Sequence, residues 1–514
     1  MPVRKHVRQK EDKILRAGMG SVWPLLIFFA CLALYAATAQ RGVSWQDSGI
    51  FQHRVVTGTY TDLGGGGLAV MHPFYLKAAR LFCLCFPHAM RVYAINLFSG
   101  AGMALAAALL FALVRRLTGS VPAALAAAVT LGLAHMAWWL ATIAEVYTWS
   151  LAFLLAELLC ALRVCLAPSG EARQRAWLVL MFLNGMHASL HNVAFLNLPV
   201  YGILWLSHVR EDRSPPQLTL ARAGFCAVFW LAGAALLVGM VARDLGQTRS
   251  LPATLKSLLV GARYGATVMG SGGVNLRLAA GNMALAAFSF ASPCWLCVVK
   301  IGKGAPDRRV FRLVLLALTV IQTLFWIRYF VPDQATFVLP TLGLGAVWLG
   351  LGAARCKARV VLMGLAIGVM MQVAGPLVLA RMAQGRIPRA RVLPFRDEAR
   401  YWLVPWKHNE RSAQQFVEAV DRQLGAGDLL IGDLTAVNPI VVARAAGMIN
   451  GTWRLVSEWT GESLEETITV INKSMLDGGS AYVVSAAPGY TAVVLLDNHD
   501  FEPEGVLWRM KKKQ

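Results

Sequence analysis

Long apolar runs constrain this chain more than any other feature of it. Eleven stretches approach the roughly 20 residues a helix needs to cross the hydrocarbon of a bilayer: Val22 to Ala39, Ala94 to Val114, Val121 to Leu140, Val146 to Val164, Ala176 to Ala188, Val193 to Leu206, Phe225 to Val241, Ala279 to Val299, Val310 to Ile327, Ala335 to Leu351 and Val360 to Ala380. With 57% hydrophobic and 15% charged residues over 514 positions, the chain has too few charges to cover a water-soluble domain of this size or to stay disordered. The net charge of +21 would suggest nucleic acid in a soluble protein. Here the basic residues fall in short clusters between apolar runs, so they point to membrane topology and no nucleic-acid partner is expected. Nine cysteines are present without the spacing of a disulfide framework or zinc ribbon.

The clusters predict an orientation. Residues 1–20 form a basic tail without a small-residue cleavage site after the first run, which reads as a cytoplasmic start and an uncleaved first helix. Alternate loops then carry Arg115 and Arg116; Arg163, Arg173 and Arg175; Arg210, Arg213 and Arg222; Lys300 to Arg312; and Arg355 to Arg359. The tail and these loops hold 22 Lys+Arg, against 11 in the longer loops of the other side, as the positive-inside rule requires. The region 21–380 therefore reads as a multi-pass plasma (inner) membrane domain with a long first outer loop, 41–91. The pair between Ala176 and Leu206 is short for two crossings. Two are retained because one would invert every later loop, with the polar tip His187 to Asn192 at membrane depth.

After Ala380 the composition becomes that of a soluble protein. A basic connector (381–411) leads to a helical pattern at Ser412 to Leu424, a strand-like run at Asp428 to Gly432, an amphipathic stretch at Ser463 to Met475, and strand-like runs at Ala481 to Ser485 and Ala492 to Leu496. This is a small α/β unit over 412–514, placed by the odd span count on the non-cytoplasmic side.

The same topology gathers polar residues on the outer face: Asp47 and His72 in the first loop, Arg91 and Asn96 opening the second helix, Glu145 and Tyr147 between spans three and four, His187, His191 and Asn192 at the hairpin tip, and Arg328 and Asp333 between spans nine and ten. Each has a plainer reading. Asp47 can cap a short helix, Glu145 can be a solvated loop charge, and Asp333 after Pro332 can end a turn. His187 and His191 share one face of a continuous helix, as metal ligands, phosphate binders or packed histidines. Glu157, inside an apolar run, is expected to pair with Arg163, and Gly64 to Gly67 to be a flexible loop. The combination favours function, because ionisable residues at membrane depth are costly.

The stretches Trp45-Gln46-Asp47-Ser48-Gly49, His72-Pro73, Asn96-Leu97-Phe98-Ser99, Ala144-Glu145-Val146-Tyr147, His191-Asn192, and Asp333 with Leu339-Pro340 together resemble the pattern of the protein O-mannosyltransferase-like membrane proteins, which are similar to the GT-C glycosyltransferases. The resemblance implies an all-α polytopic membrane domain of about 11 transmembrane helices followed by the α/β unit. It implies inverting transfer of a sugar, mannose in the eukaryotic relative, from a polyprenyl-phosphate donor to a glycan or protein hydroxyl on the non-cytoplasmic face. Asp47 matches the family's base. Arg91, His187, His191 or Arg328 would stabilise the leaving phosphate, and Glu145 would orient the acceptor or share a divalent cation with Asp47. Phe74-Tyr75 departs from the family pattern after His72-Pro73. Asp433, Asn438 and Asp497 form no catalytic set, so the α/β unit is expected to bind the acceptor. A transporter or flippase of a lipid-linked substrate is the alternative; it predicts inverted repeats, and none is evident.

Overall fold

The computed structural model describes residues 22–59, 67–167, 170–212, 215–261, 275–302, 308–386, 393–457, 468–469, 471, 473–474, 478–487 and 493–513. The N-terminal tail, Gly64 to Gly66 and most of the Ser463 to Met475 stretch lie outside these residues.

All eleven apolar runs lie in helices. They are α1 (Trp23–Thr38), α4 (Arg91–Thr118), α5 and α6 (Val121–Leu133, His135–Ala141), α7 (Tyr147–Leu166), α8 (Glu171–Leu190), a 3-10 turn with α9 (Asn192–Asn197, Leu198–Asp212), α10 and α11 (Pro216–Gly233, Ala235–Thr248), α13 (Leu276–Phe288) with the 3-10 segment Pro293–Lys300, α14 (Arg309–Arg328), a 3-10 turn with α15 (Gln334–Val338, Leu339–Ala353), and α16 (Ala358–Ala383). By length and composition six among the described residues can cross a membrane, or nine if each of three bent pairs is one span. The bends are 63° at Ala134, 79° at Ala234 and 81° before Pro293, next to the glycine or proline that interrupts the ladder in the last two cases. The arms of the short hairpin, Glu171–Leu190 and Asn192–Glu211, are each 20 residues, and by length and composition the second can cross a membrane.

Packing within the bundle relies on small side chains. Ala104, Ala106, Ala107, Ala123, Ala124, Ala126 and Ala127 are fully buried between α4 and α5, allowing the close approach that dispersion-driven packing in lipid needs. Gly119 in the left-handed region ends α4 and returns its N–H to Arg115 O, and Ser120 then caps α5. By contrast α14 and α16 expose Leu313, Leu316, Leu324, Met363 and Met370, faces suited to hydrocarbon. The chain is a multi-pass membrane protein.

At one end of the bundle stand the short helices α2 (Gln46–Thr57), α3 (Pro73–Cys83) and α12 (Leu251–Leu259). The connector runs across the same end. Thr142 Oγ donates to Pro405 O at 2.8 Å, Trp139 Nε1 to Tyr401 O at 3.2 Å, and Lys407 N to Thr38 O at 2.8 Å. After α17 (Glu398–Leu403) and α18 (Ser412–Gln423) comes a five-stranded sheet of order β2-β1-β3-β5-β4. Its strands are β1 (Leu429–Gly432), β2 (Arg454–Ser457), β3 (Ala481–Val483), β4 (His499–Glu504) and β5 (Leu507–Lys512). β1 pairs in parallel with β2 and β3; β5 runs antiparallel to β3 and β4. The two inner parallel strands are buried throughout, as parallel strands covered on both faces are. The sequence expectation fails at Ala492 to Leu496, where residues 493–498 form helix α20 (Val493–Asn498) and the strand begins at His499. Gly505, left-handed at φ 59°, makes the two-residue hairpin turn that pairs β4 with β5. Helix α19 (Leu434–Ala445), absent from the sequence reading, follows β1 and seats on α2.

Candidate active site

The first loop is not irregular. Residues 46–57 form α2, with Asp47 in its first turn and Arg54 in its last, two turns apart and therefore on one face. Asp47 is an exposed residue while its neighbours Ser48, Gly49 and Arg54 are buried. Behind it, Ser48 Oγ donates to Glu145 Oε1 at 3.1 Å. Glu145 lies in a stretch without regular structure, and Ser99 of α4 brackets it: Ser99 Oγ donates to Glu145 O at 2.9 Å, and Glu145 N donates to Ser99 Oγ at 2.8 Å. Two residues on from Glu145, Tyr147 donates its hydroxyl to Asp333 Oδ2 at 3.3 Å.

Two histidines close this group. His72, left-handed at φ 46°, shares a 2.8 Å hydrogen bond between Nδ1 and Leu190 O, and its ring stacks on His191 with centroids 5.0 Å apart. His191 Nδ1 accepts from Val193 N at 3.1 Å. From these partners the tautomers follow: His72 carries its proton on Nδ1 and offers Nε2 as an acceptor, whereas His191 offers Nε2–H as a donor. Burial lowers both. His72 falls to about 4, the Leu190 carbonyl opposing and Arg54 adding to the fall, and His191 falls well below the ordinary imidazole range, assisted by His72 and His187.

Asp47, Glu145 and Asp333 are close enough to repel one another. Desolvation of its carboxyl by the groups packed around it and then Asp333 push Asp47 up to about 7, with Arg54 pulling the other way. Burial, followed by Asp47 and Asp333, holds Glu145 well above the carboxylate range, against the Ser48 hydrogen bond. Glu145 is 7% exposed, so of the two carboxylates it is the one more shielded from water. Among the described residues no three or more His, Cys, Asp or Glu side chains are grouped to hold a metal ion.

The remaining expected site residues make contacts elsewhere. Asn96 is buried structure, accepting from Gln52 at 3.0 Å and donating to Gln40 O at 2.9 Å. Arg91 lies by Cys83, about 15 Å along α3 from His72. Arg328 is exposed with its guanidinium over Phe330. Asn192 donates to Leu259 O on α12. His187 requires a correction: α8 continues to Leu190, and His191 is extended at φ −155°, so the two histidines do not share a helical face. His187 instead bonds Ser150 Oγ at 2.7 Å and Glu157 Oε1 at 2.8 Å. Glu157 likewise departs from its expected Arg163 partner. Its Oε2 accepts from Asn184 at 3.3 Å, Asn197 at 2.9 Å and Tyr201 at 2.8 Å, a buried hub tying α7 to α8 and α9. Arg54, Ser48 and Ser99 were missed from sequence; the Asp47/Arg54 spacing was the available signal.

No protein-family model matches the sequence, and no curated protein matches it. In structure the chain is similar to ArnT from Cupriavidus metallidurans bound to undecaprenyl phosphate, with TM-score 0.62 and 11% identity over 96% of this chain and 98% of that one. The fold is shared with ArnT. The apo form of the same protein gives TM-score 0.57 and 12% identity over 95% and 97%. The chain thus has the polytopic helical membrane architecture with a small α/β unit that the sequence implied, shared with that protein over nearly its whole length.

Proposed function

We propose that this protein is a membrane glycosyltransferase that moves a sugar from a polyprenyl-phosphate carrier to an acceptor hydroxyl, with Asp47 as the general base. The observation that carries the proposal is the Asp47 carboxylate set beside Glu145, Asp333 and Arg54, in a fold shared with a protein whose structure holds undecaprenyl phosphate.

The chemistry follows from the proton inventory. An alcohol is a poor nucleophile, and a carboxylate poised near 7 accepts its proton at neutral pH as oxygen bonds to the anomeric carbon. The carbon–oxygen bond to phosphate breaks as the new one forms on the opposite face, which inverts the centre, and the phosphate leaves with the bonding pair. Arg54 and the His191 Nε2–H are the donors this reading assigns to that developing charge. Glu145, protonated, and Tyr147 with Asp333 shape the acceptor side. Mannose is the sugar favoured by the motif resemblance, a glycan or protein hydroxyl the acceptor, and the non-cytoplasmic face the location favoured by the basic-loop pattern.

The test is turnover by purified protein in nanodiscs given a panel of polyprenyl-phosphate sugars with alcohol and glycan acceptors, wild type against Asp47→Asn. Sugar transfer by wild type and at least a hundredfold loss in the variant is the expected result. Transfer unaffected by the substitution removes Asp47 from the mechanism. Lipid movement between leaflets without transfer replaces the enzyme with a transporter.

A further inference from the structure

The two residues before Asp47 are held by side chains of the soluble unit. Gln46 is left-handed at φ 56°, a geometry disfavoured by any residue with a Cβ. Its carbonyl accepts a 3.0 Å hydrogen bond from Asn438 Nδ2 on α19. Trp45, 1% exposed, donates Nε1 to Ser412 Oγ at 2.8 Å and packs its ring 5.2 Å from Phe416, both on α18. The approach is tight: a Cβ on Gly49 would lie 2.8 Å from Asn438 Cβ and 2.5 Å from Ser44 O. Asn438 is fully buried, and among the described residues its Oδ1 has no partner. An apolar residue of the same shape would avoid that desolvation; what it cannot supply is the N–H to Gln46.

We infer that Asn438 is a positioning residue, and that the α/β unit completes the catalytic site by holding Gln46 in its left-handed turn so that Asp47 is set beside Glu145 and Asp333. The inference rests on the proposed role of Asp47, and it changes the expected role of this unit from acceptor binding to alignment of the base. Strain held next to a reacting group by an over-determining neighbour is how such turns persist.

The decisive variants are Asn438→Leu, which keeps the volume and removes the donor, and Asn438→Leu with Gln46→Gly, in which a glycine adopts the left-handed turn unaided. Purified full-length proteins are compared by sugar transfer and by hydrogen–deuterium exchange over residues 44–50. Asn438→Leu is expected to lower kcat about tenfold, the population loss set by an unheld left-handed residue, with donor KM within twofold. It should raise exchange in this segment by a similar factor. The double variant should restore both to within about threefold of wild type. Should Asn438→Leu fail to fold, Gln46→Val, which disfavours the turn through a β-branched side chain and leaves the soluble unit untouched, must show the same two effects. Unchanged kcat and exchange, or a loss that glycine does not rescue, overturns the inference. Raised and rescued exchange in a protein that transfers no sugar upholds the positioning and rejects the glycosyltransferase reading instead.

Discussion

Replacing Glu157 with leucine tests whether the buried hub holds α7, α8 and α9 together. The substitution removes the acceptor from His187 Nδ1, Asn184 Nδ2, Asn197 Nδ2 and Tyr201 OH and adds no partner. Hydrogen bonds between membrane helices average about 0.6 kcal/mol each, so losing these donors' acceptor costs about 2.4 kcal/mol. Removing one member of a fully buried ionisable pair, here 1% and 0% exposed, costs about 3 to 5 kcal/mol in soluble proteins, which sets the upper limit. At about 2 °C per kcal/mol for a large domain, the melting temperature in detergent should fall by roughly 5 to 10 °C. Steric-trapping unfolding in bicelles gives the free energy directly. Because His187 and Glu157 touch, Glu157→Leu with His187→Leu should be less destabilising than the sum of the single changes. A Glu157→Leu protein within about 0.5 kcal/mol of wild type, or strictly additive costs, would refute the reasoning.

Other consequences are as direct. With Asp47 at about 7 acting as base, kcat/KM should rise tenfold per pH unit below that value and level off above it. Asp333→Asn removes a repelling charge and should move the rise to lower pH, and Arg54→Gln removes an attractive one and should move it higher; a pH–rate profile displaced oppositely would reject the assignment. In the helix pair α8 and α10, a Cβ at Gly185 would lie 2.1 Å from Trp230 O, so Gly185→Ala should separate the helices and lower thermal stability by several degrees. Gly224→Ala on the same α10, with nothing within 4 Å of its Cβ, should leave it unchanged or slightly raised. Burial lowers Lys407 to about 7, whereas an unfolded lysine keeps its proton to about 10.4. Folding therefore releases a proton between these values, and wild type should gain stability relative to Lys407→Met as pH rises from 7 to 10.

The bundle was legible because a 20-residue apolar run has few ways to satisfy its backbone, and all eleven runs are helical. Asp47, His72, Glu145, Tyr147, His191 and Asp333 do meet, since loops at one end of a bundle share little space. What escaped was local. α2 is too polar to show an apolar stripe, so Arg54 was not placed beneath Asp47. The pairing of Glu157 followed sequence proximity to Arg163, whereas an antiparallel neighbour supplied a better partner in His187. In the soluble unit, the apolar run before His499 is as compatible with a short helix as with a strand, and only the hairpin partner settles where the strand begins.

Ser99 has one consequence beyond its geometry. A hydroxyl has one proton to give and two lone pairs to receive with. Ser99 gives its proton to Glu145 O and receives from Glu145 N, and the remaining lone pair lies 3.0 Å from the Tyr75 oxygen, which makes Tyr75 the donor. The group is saturated. It has nothing left for water or an incoming sugar, so a residue at the centre of a polar site is chemically silent, and its valence is spent on a peptide unit that no helix or strand would otherwise have served.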